Sequence, residues 1–183
     1  MPGGRDIDPK KYGQKNEGGS KVPEDSHIRY DFNENAFTHL PTEMPIFGIC
    51  WGLQFMNVYF GGDLVQDMEN SQEHYKKRRV TFKEGSILYK AVGSETLSQC
   101  YHHQSIGKIG KGIKVTGIDD FSKEPHAMEY VENGRWIVSV LWHPEATFID
   151  ESRTLLDENS LKILGTFIMK CKEYKELRKK RKK

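Results

Sequence analysis

The most distinct hydrophobic run of the chain lies near residue 50 and holds a cysteine between two glycines. Residues 46–49 are apolar and short, which favours a buried strand. The ten residues 51–60 have helical length, and the glycines at 61 and 62 supply a C-terminal stop. The pattern therefore predicts a strand followed directly by a helix, with Cys50 at the corner between them.

Two further helices are predicted from apolar residues at helical spacing. Residues 26–40 have an imperfect apolar face, which is expected to consist of Ile28, Phe32 and Phe37. The last segment contains a long amphipathic helix that begins near Asn159 or Ser160. Its apolar positions are Leu161, Leu164, Phe167, Ile168 and Cys171.

Several other stretches favour strands. Residues 112–119 and 127–142 alternate in the manner of half-buried strands, and "ENG" at 132–134 is typical of a hairpin turn. In the more polar middle of the chain, residues 78–82 are expected to form a strand, and residues 86–92 a strand or a turn. Because buried strands alternate with helices around the cysteine and an antiparallel section follows, the chain is predicted to be a mixed α/β domain.

Length, charge and cysteine content indicate how many domains the chain has, which partners it is expected to bind and in which compartment it is expected to lie. The 183 residues suit one domain, and 28 Lys+Arg against 26 Asp+Glu give a net charge of +2, which offers no strong field for nucleic acid. The three cysteines, Cys50, Cys100 and Cys171, show no paired spacing, which fits a reducing compartment. The chain opens without an apolar signal segment, and no apolar run approaches the roughly 18 residues of a membrane span. We therefore expect a soluble cytoplasmic protein with neither nucleic acid nor membrane as partner.

Positive charge accumulates only at the end of the chain. Residues 176–183 carry most of it and are interpreted as the solvated end of the last helix, where cations are favourable. A nuclear-import or nucleic-acid-binding tail is the weaker alternative. The chain is accordingly divided into a domain of residues 1–175 and a basic tail of residues 176–183.

The corner at Cys50 is the first candidate for chemistry. A cysteine attacks a carbonyl only as the thiolate, which the free N–H groups at the start of the following helix favour. A neighbouring imidazolium would favour it further, so a histidine is needed nearby in space. Gly48 and Gly52 suit a sharp turn that other elements can approach closely. Taken alone, a cysteine in an apolar run is more often a small buried core residue.

The second candidate is the segment "LWHPE". In extended chain His143 and Glu145 project to the same side, and Pro144 keeps the residue before it out of the helical region. A carboxylate beside an imidazole fixes the tautomer and favours the charged form. Cys50, His143 and Glu145 would together supply a nucleophile, a base and an orienting acid.

Metal binding is an alternative role for the histidines at 102, 103 and 143. It is disfavoured because no Cys or His pair supplies the second half of a zinc-like spacing. No metal is therefore predicted.

At this point the motifs resemble a known family, the class I glutamine amidotransferase-like hydrolases. The closest resemblance is to the γ-glutamyl-γ-aminobutyrate hydrolase group, or peptidase family C26. G-x-C-x-G with a distant H-P-E is specific for the superfamily, and the opening PGG-x-D-x-x-P-x-x-YG points to this branch. The matching segments, in order, are "PGGRDIDPKKYG", "PIFGICWGLQFMNVYFGGDLVQD", "YHHQSI" and "VLWHPE".

The resemblance implies a flavodoxin-like three-layer α/β fold with a mostly parallel central sheet plus an antiparallel section. It implies thioester chemistry on a small γ-glutamyl substrate without a cofactor. Backbone N–H groups of Gly4 and Trp51 would hold the oxyanion. Gln54, His102 and Gln104 would shape the γ-glutamyl pocket, although Gln54 could instead face solvent.

The sequence departs from the family pattern in two ways. Relatives have an N-terminal portion with several strands before the "PGG" turn, so the resemblance implies that these strands are missing and that the turn is a frayed terminus. Relatives also commonly carry Arg where Trp51 stands, which would alter substrate selection near the thiol.

The predicted function is cysteine-dependent hydrolysis of γ-glutamyl amides in small γ-glutamylated amines or peptides. One alternative is a glutaminase that supplies ammonia to a synthase partner, since the chemistry is shared. The other is a truncated relative without activity.

Overall fold

Within residues 1–69, 77–148 and 157–181, which are the residues that the computed structural model describes, four α-helices and eight strands form. The helices are α1 (Ser26–His39), α2 (Trp51–Tyr59), α3 (Ile87–Val92) and α4 (Glu158–Arg181). The strands are β1 (Ile46–Ile49), β2 (Leu64–Val65), β3 (Lys77–Phe82), β4 (Glu95–Gln99), β5 (Ser105–Ile106), β6 (Lys114–Asp119), β7 (Pro125–Tyr130) and β8 (Ile137–Val140). Short 3-10 helices lie at Pro9–Tyr12 and Pro144–Phe148.

Six of the strands form one mixed sheet in the order β1-β8-β7-β6-β3-β4. β1 and β8 are parallel, with Ile46 opposite Ile137, and the other four neighbouring pairs are antiparallel. β2 and β5 form a separate antiparallel pair. Among the described strands the antiparallel section is therefore larger than the parallel one.

The sheet has a hydrophobic layer on each face. In β8 and just beyond it, Ile137 and Leu141 belong to the cluster that includes residues of α1 and α2, whereas Val138 and Val140 belong to the cluster that includes residues of α3 and α4. Alternate residues of a strand point to opposite faces, so one strand serves both clusters. The helices thus cover both faces of the sheet, and the predicted three-layer α/β fold is confirmed.

Helix α1 forms where it was predicted, but its buried face differs. Phe37 is buried, whereas Ile28 and Phe32 are 61% and 72% exposed. Tyr30 is buried instead, and its ring centroid lies 5.2 Å from that of Phe55 in α2. Tyr30 and Phe37 are two helical turns apart, so the face of α1 that contacts α2 is set by these two aromatic residues.

The prediction of a strand or turn at residues 86–92 was wrong, because this segment forms α3. Ser86 caps the helix by accepting a hydrogen bond from the Tyr89 N–H, and Gly93 ends it with φ of +90°. The Ile87 N–H donates to the carboxylate of Glu129 in β7 over 2.8 Å. The strands predicted at 78–82 and around the 132–134 turn are confirmed.

Helix α4 extends to Arg181, so residues 176–181 of the predicted tail continue the helix. Ile163 is buried, and Leu164 and Phe167 pack against the same cluster, but Leu161 and Ile168 are exposed. None of the helices in the described ranges is long and apolar enough to cross a membrane.

Candidate active site

Cys50 connects β1 to α2 in a backbone conformation that is unfavourable for a residue with a side chain. Its φ is +50° and its ψ is −103°, a region that costs on the order of 1–3 kcal/mol outside glycine. Hydrogen bonds on both sides hold the corner: the Cys50 N–H donates to the Val140 carbonyl over 2.8 Å, and the Cys50 carbonyl accepts from Leu53 over 2.9 Å. The strain is therefore localised at the candidate nucleophile.

The two flanking glycines are required by close packing. A Cβ atom on Gly48 would lie 2.9 Å from the carbonyl carbon of Gly52 and 2.9 Å from Cβ of Ser139. A Cβ atom on Gly52 would lie 2.5 Å from the Met1 carbonyl oxygen. Larger residues at either position would push the start of α2 away from the sheet.

His143 follows β8 and is held from two directions. Its backbone N–H donates to the Gln99 carbonyl over 3.1 Å, and its ring Nδ1 lies 2.7 Å from Oε1 of Glu145. The pairing was predicted for extended chain, but Pro144 instead begins a 3-10 helix that brings the carboxylate back to the ring. With Nδ1–H donating to Glu145, Nε2 is the ring nitrogen left to give up or take up a proton.

Cys50 and His143 meet around Gly3. A Cβ atom on Gly3 would lie 2.6 Å from Cε1 of His143, 3.4 Å from its Nε2 and 3.5 Å from Cβ of Cys50. Burial lowers the pKa of His143, but hydrogen bonds to Cys50 and Glu145 outweigh it and raise the pKa to about 10. The structure thus brings Cys50, His143 and Glu145 together, in an arrangement that favours the charged form of His143.

The "PGG" turn was predicted to be a frayed terminus, but hydrogen bonds hold the residue directly before it. The Met1 ammonium group donates to the Phe47 carbonyl over 2.7 Å, and the Met1 carbonyl accepts from the Ile49 N–H over 2.9 Å. These bonds pair Met1 with β1 like a neighbouring strand. They carry the chain into Gly3 directly beside Cys50.

Arg29 of α1 was not identified from the sequence. Its guanidinium carbon lies 3.9 Å from the centre of the Trp51 ring, and its Nη2 donates to the carbonyls of Pro2 and Gly3 over 2.7 and 3.0 Å. Burial lowers the pKa of Arg29, and the charge of Cys50 acts in the opposite direction. The resemblance implies Arg at position 51 in relatives, and here the guanidinium of Arg29 stacks on the Trp51 ring instead.

The residues predicted to hold the oxyanion lie on both sides of this arginine. Trp51 is the first residue of α2, and its side chain is buried. A Cβ atom on Gly4 would overlap the Arg29 guanidinium, so Gly4 lies beneath Arg29 while Gly3 faces Cys50. The backbone of the turn therefore lies close to the thiol.

The three residues predicted to bind substrate are all buried. Gln54 is only 4% exposed, so the solvent-facing alternative for this residue is wrong. His102 Nδ1 is hydrogen-bonded to the Gln104 carbonyl, and Gln104 Nε2 donates to Ser20 Oγ and the Gln66 carbonyl over 3.0 and 3.1 Å. His102 and Gln104 are thus built into the surrounding loops.

Tyr101, which the sequence did not indicate, contacts the candidate site directly. Its ring centroid lies 5.7 Å from that of His143 in an edge-on arrangement, and the residue is 45% exposed. His103, the next residue but one, bonds to Asp6 and Asp67 over 3.1 and 3.2 Å. The segment after β4 therefore joins His143 to the N-terminal loops.

A cleft of about 370 Å³ opens beside Trp51 and Arg29. Its wall includes charged side chains of both signs, among them Arg5, Asp6 and Asp25. Such a lining suits a small ligand that carries both a cation and an anion.

Within the described ranges, one group of potential metal ligands is found. Its members are Cys100, His102 and His126, whose ligand atoms all lie within 4.8 Å of one another. His126 belongs to β7, so sequence spacing did not indicate this group.

Solved structures of other proteins share this fold. The structure is similar to that of a candidate GMP synthase component of Thermoplasma acidophilum, with a TM-score of 0.67, 18% identity and coverage of 85% of this chain and 70% of that one. It is also similar to a glutamine amidotransferase of Thermotoga maritima, with a TM-score of 0.55, 16% identity and coverage of 81% and 68%. The fold is that of the class I glutamine amidotransferases.

The sequence comparisons identify the family. Residues 1–145 match the model of the Peptidase C26 family, and the chain belongs to that family. A candidate glutamine amidotransferase of Mycobacterium tuberculosis is 30% identical over 82% of this chain and 51% of its own length. One of Schizosaccharomyces pombe is 31% identical over 94% of this chain and 68% of its own length. The chain thus spans about half of the first relative and two thirds of the second.

Proposed function

We propose that the chain hydrolyses γ-glutamyl amide bonds in small γ-glutamylated amines or peptides through a thioester on Cys50. The observation that carries the proposal is the strained corner at Cys50 beside His143, whose ring is bonded to Glu145 over 2.7 Å. Membership of the Peptidase C26 family supports amide hydrolysis in general.

In the first half of the reaction, the Cys50 thiolate attacks the γ-carbonyl carbon of the substrate. The start of α2 and the His143 imidazolium both favour the thiolate. His143 gives its proton to the departing nitrogen, the C–N bond breaks and the free amine leaves.

In the second half, His143 takes a proton from water, and the resulting hydroxide attacks the thioester. The C–S bond breaks, glutamate is released and the Cys50–His143 pair is restored. Glu145 keeps Nδ1 protonated throughout, so that Nε2 exchanges the proton with the reacting groups.

Backbone N–H groups would stabilise the negative oxygen that forms in each half. The Trp51 N–H lies at the start of α2, and the Gly3–Gly4 turn lies against Cys50 and His143. Donors preorganised in this way are worth most where water is excluded.

The cleft beside Trp51 supports a glutamyl group as the acyl part of the substrate. A γ-glutamyl group carries an α-ammonium and an α-carboxylate at the end remote from the scissile bond. Arg5 and Arg29 offer cations for the carboxylate, and Asp25 offers an anion for the ammonium. We therefore expect α-N-acetylation or α-esterification of the substrate to raise KM.

The central test is the Cys50→Ala variant, measured by release of glutamate from a γ-glutamyl amide. Loss of a nucleophile that acts as a unit with its base lowers kcat by about 10⁴-fold or more. Cys171→Ala is the matched control, because that cysteine lies on α4 away from the site. Equal activity of both variants would contradict the mechanism.

A glutaminase that passes ammonia to a partner is the second candidate, and the names of the relatives favour it. The same residues would then act on free glutamine. The two candidates are separated by comparing kcat/KM for glutamine with that for γ-glutamyl amines. Preference for glutamine would favour the glutaminase, and preference for the substituted amides would favour hydrolysis.

A further inference from the structure

A second cysteine and two histidines meet in the interior on the segment after β4 and on β7. Cys100 follows β4 directly, His102 lies two residues further, and His126 lies in β7. Their exposed fractions are 0%, 4% and 0%, and their ligand atoms all lie within 4.8 Å of one another. The candidate reaction at Cys50 uses none of these side chains.

We propose that Cys100, His102 and His126 form a binding site for a thiophilic divalent metal ion, of which Zn²⁺ is the best fit. A thiolate with two imidazoles is a donor set that zinc accepts readily, and a water molecule would complete four-coordination.

The separation of Cys100 and His126 is close to that of two zinc ligands. A tetrahedral zinc ion with Zn–S of about 2.3 Å and Zn–N of about 2.0 Å holds sulfur and nitrogen about 3.5 Å apart. Cys100 Sγ lies 3.9 Å from His126 Nδ1, which exceeds that separation by a few tenths of an ångström. The ligand atoms of the whole group lie within 4.8 Å of one another, so binding would draw the third ligand closer to the other two.

His102 makes a hydrogen bond that is common among metal-binding histidines. Its Nδ1 is hydrogen-bonded to the Gln104 carbonyl over 3.1 Å, which fixes the tautomer with the lone pair on Nε2. Metal-binding histidines commonly donate their other nitrogen to a backbone carbonyl in this way. The same bond defines the ring orientation toward His126, whose centroid lies 5.2 Å away.

The surrounding charges suit a cation with one thiolate ligand. Such a site retains one positive charge, and the fully buried Asp119 interacts electrostatically with both Cys100 and His126. Arg78 lies 3.9 Å from Oδ2 of Asp119 and shares this carboxylate. Binding of the ion replaces the thiol proton of Cys100 and releases it to solvent.

The site is connected to the candidate active site through one short segment. The Gln99 carbonyl accepts a hydrogen bond from the backbone N–H of His143, and the Tyr101 ring contacts the His143 ring. These residues flank Cys100 on both sides. A metal ion bound here would fix the end of β4, to which the His143 backbone is hydrogen-bonded.

The experiment uses the Cys50→Ser/Cys171→Ser variant of the full chain, in which Cys100 is the remaining cysteine of three. Co²⁺ is titrated into metal-free protein, and absorption is recorded. We expect a thiolate-to-cobalt charge-transfer band that Zn²⁺ displaces. Adding Cys100→Ser should abolish the band, and adding His126→Gln should weaken binding by about tenfold or more.

Two results would overturn the proposal: no thiolate band in the double variant, or a band that survives Cys100→Ser. If Cys100→Ser prevents folding, X-ray absorption of zinc in the double variant decides the matter. A zinc ion coordinated by one sulfur and two imidazole nitrogens would support the site, and a coordination shell without sulfur would overturn it. Because Cys50 is absent from this protein, the outcome is independent of the proposed hydrolysis.

Discussion

The side chain of Arg29 controls the geometry of the backbone next to the candidate nucleophile. It stacks on Trp51 and ties the carbonyls of Pro2 and Gly3 through one nitrogen. Holding these carbonyls orients the peptide groups of the turn against Cys50. Arg29 therefore acts as a positioning residue for the turn, in addition to lining the cleft.

We expect Arg29→Gln to lower kcat as well as raise KM for a γ-glutamyl amide. Misplacement of the turn by about 1 Å is enough for a loss of about 100-fold in rate. Arg79→Gln is the control, since Arg79 pairs with Glu95 on the surface. A change confined to KM would show that Arg29 contacts substrate without positioning the turn.

The hydrogen bond from His143 to Glu145 helps to raise the pKa of His143. The pKa of His143 is raised to about 10, above its ordinary value, so the imidazolium persists as pH rises and is lost on passing about pH 10. Glu145→Gln removes a charge and should move the alkaline fall of kcat/KM to lower pH.

The pH profile of Glu132→Gln provides the comparison, since Glu132 lies exposed in the hairpin after β7. Its alkaline limb should match that of the unmodified chain. An unchanged alkaline limb in Glu145→Gln would mean that Glu145 does not maintain the charge of His143.

At the scale of single residues, the sequence indicated those site residues that form a recognisable pattern with their neighbours in the chain. Cys50 with its glycines and His143 with Glu145 are local patterns, and the structure brings these residues together. Arg29 and His126 gave no signal, because each reaches its cluster from a different element. Only tertiary packing brings them there.

At the scale of elements, α1 shows how packing selects one face of a helix. Phe37 contacts the rings of Phe55, Tyr59 and Phe60 at centroid distances of 4.5–6.4 Å, whereas Phe32 is exposed. We expect Phe37→Ala to destabilise the fold by about 3–5 kcal/mol. Phe32→Ala should stay within about 0.5 kcal/mol. Urea unfolding of both variants measures the difference, and similar losses would contradict the assigned face.

Helices α1 and α3 also show why element prediction was incomplete. The apolar periodicity of α1 was imperfect, so aromatic contacts with α2 decided its orientation. Helix α3 has six residues, too few for a clear period, and its start depends on Glu129 from β7. The β7–β8 hairpin was predictable because alternation and a turn sequence agree within one short stretch.

At the scale of the whole molecule, α4 divides into a half that packs on the sheet and a basic half that does not. Ile163 is buried in the second cluster, while residues 176–181 are exposed. Within the described ranges, the basic end makes an exposed ion pair with the rest of the fold, between Arg181 and Glu43. Exposed pairs of this kind contribute little to stability.

Deletion of residues 176–183 is therefore expected to leave the melting temperature within about 2 °C and the hydrolysis of γ-glutamyl amides unchanged. Ile163→Ala, in the packed half of α4, should instead lower the melting temperature by about 5 °C or more, because it opens a cavity in the second cluster. Thermal unfolding followed by circular dichroism, with activity measured on the same samples, compares the two. A large loss of stability in the deletion variant would place the basic end within the folding unit, against the division at residue 175.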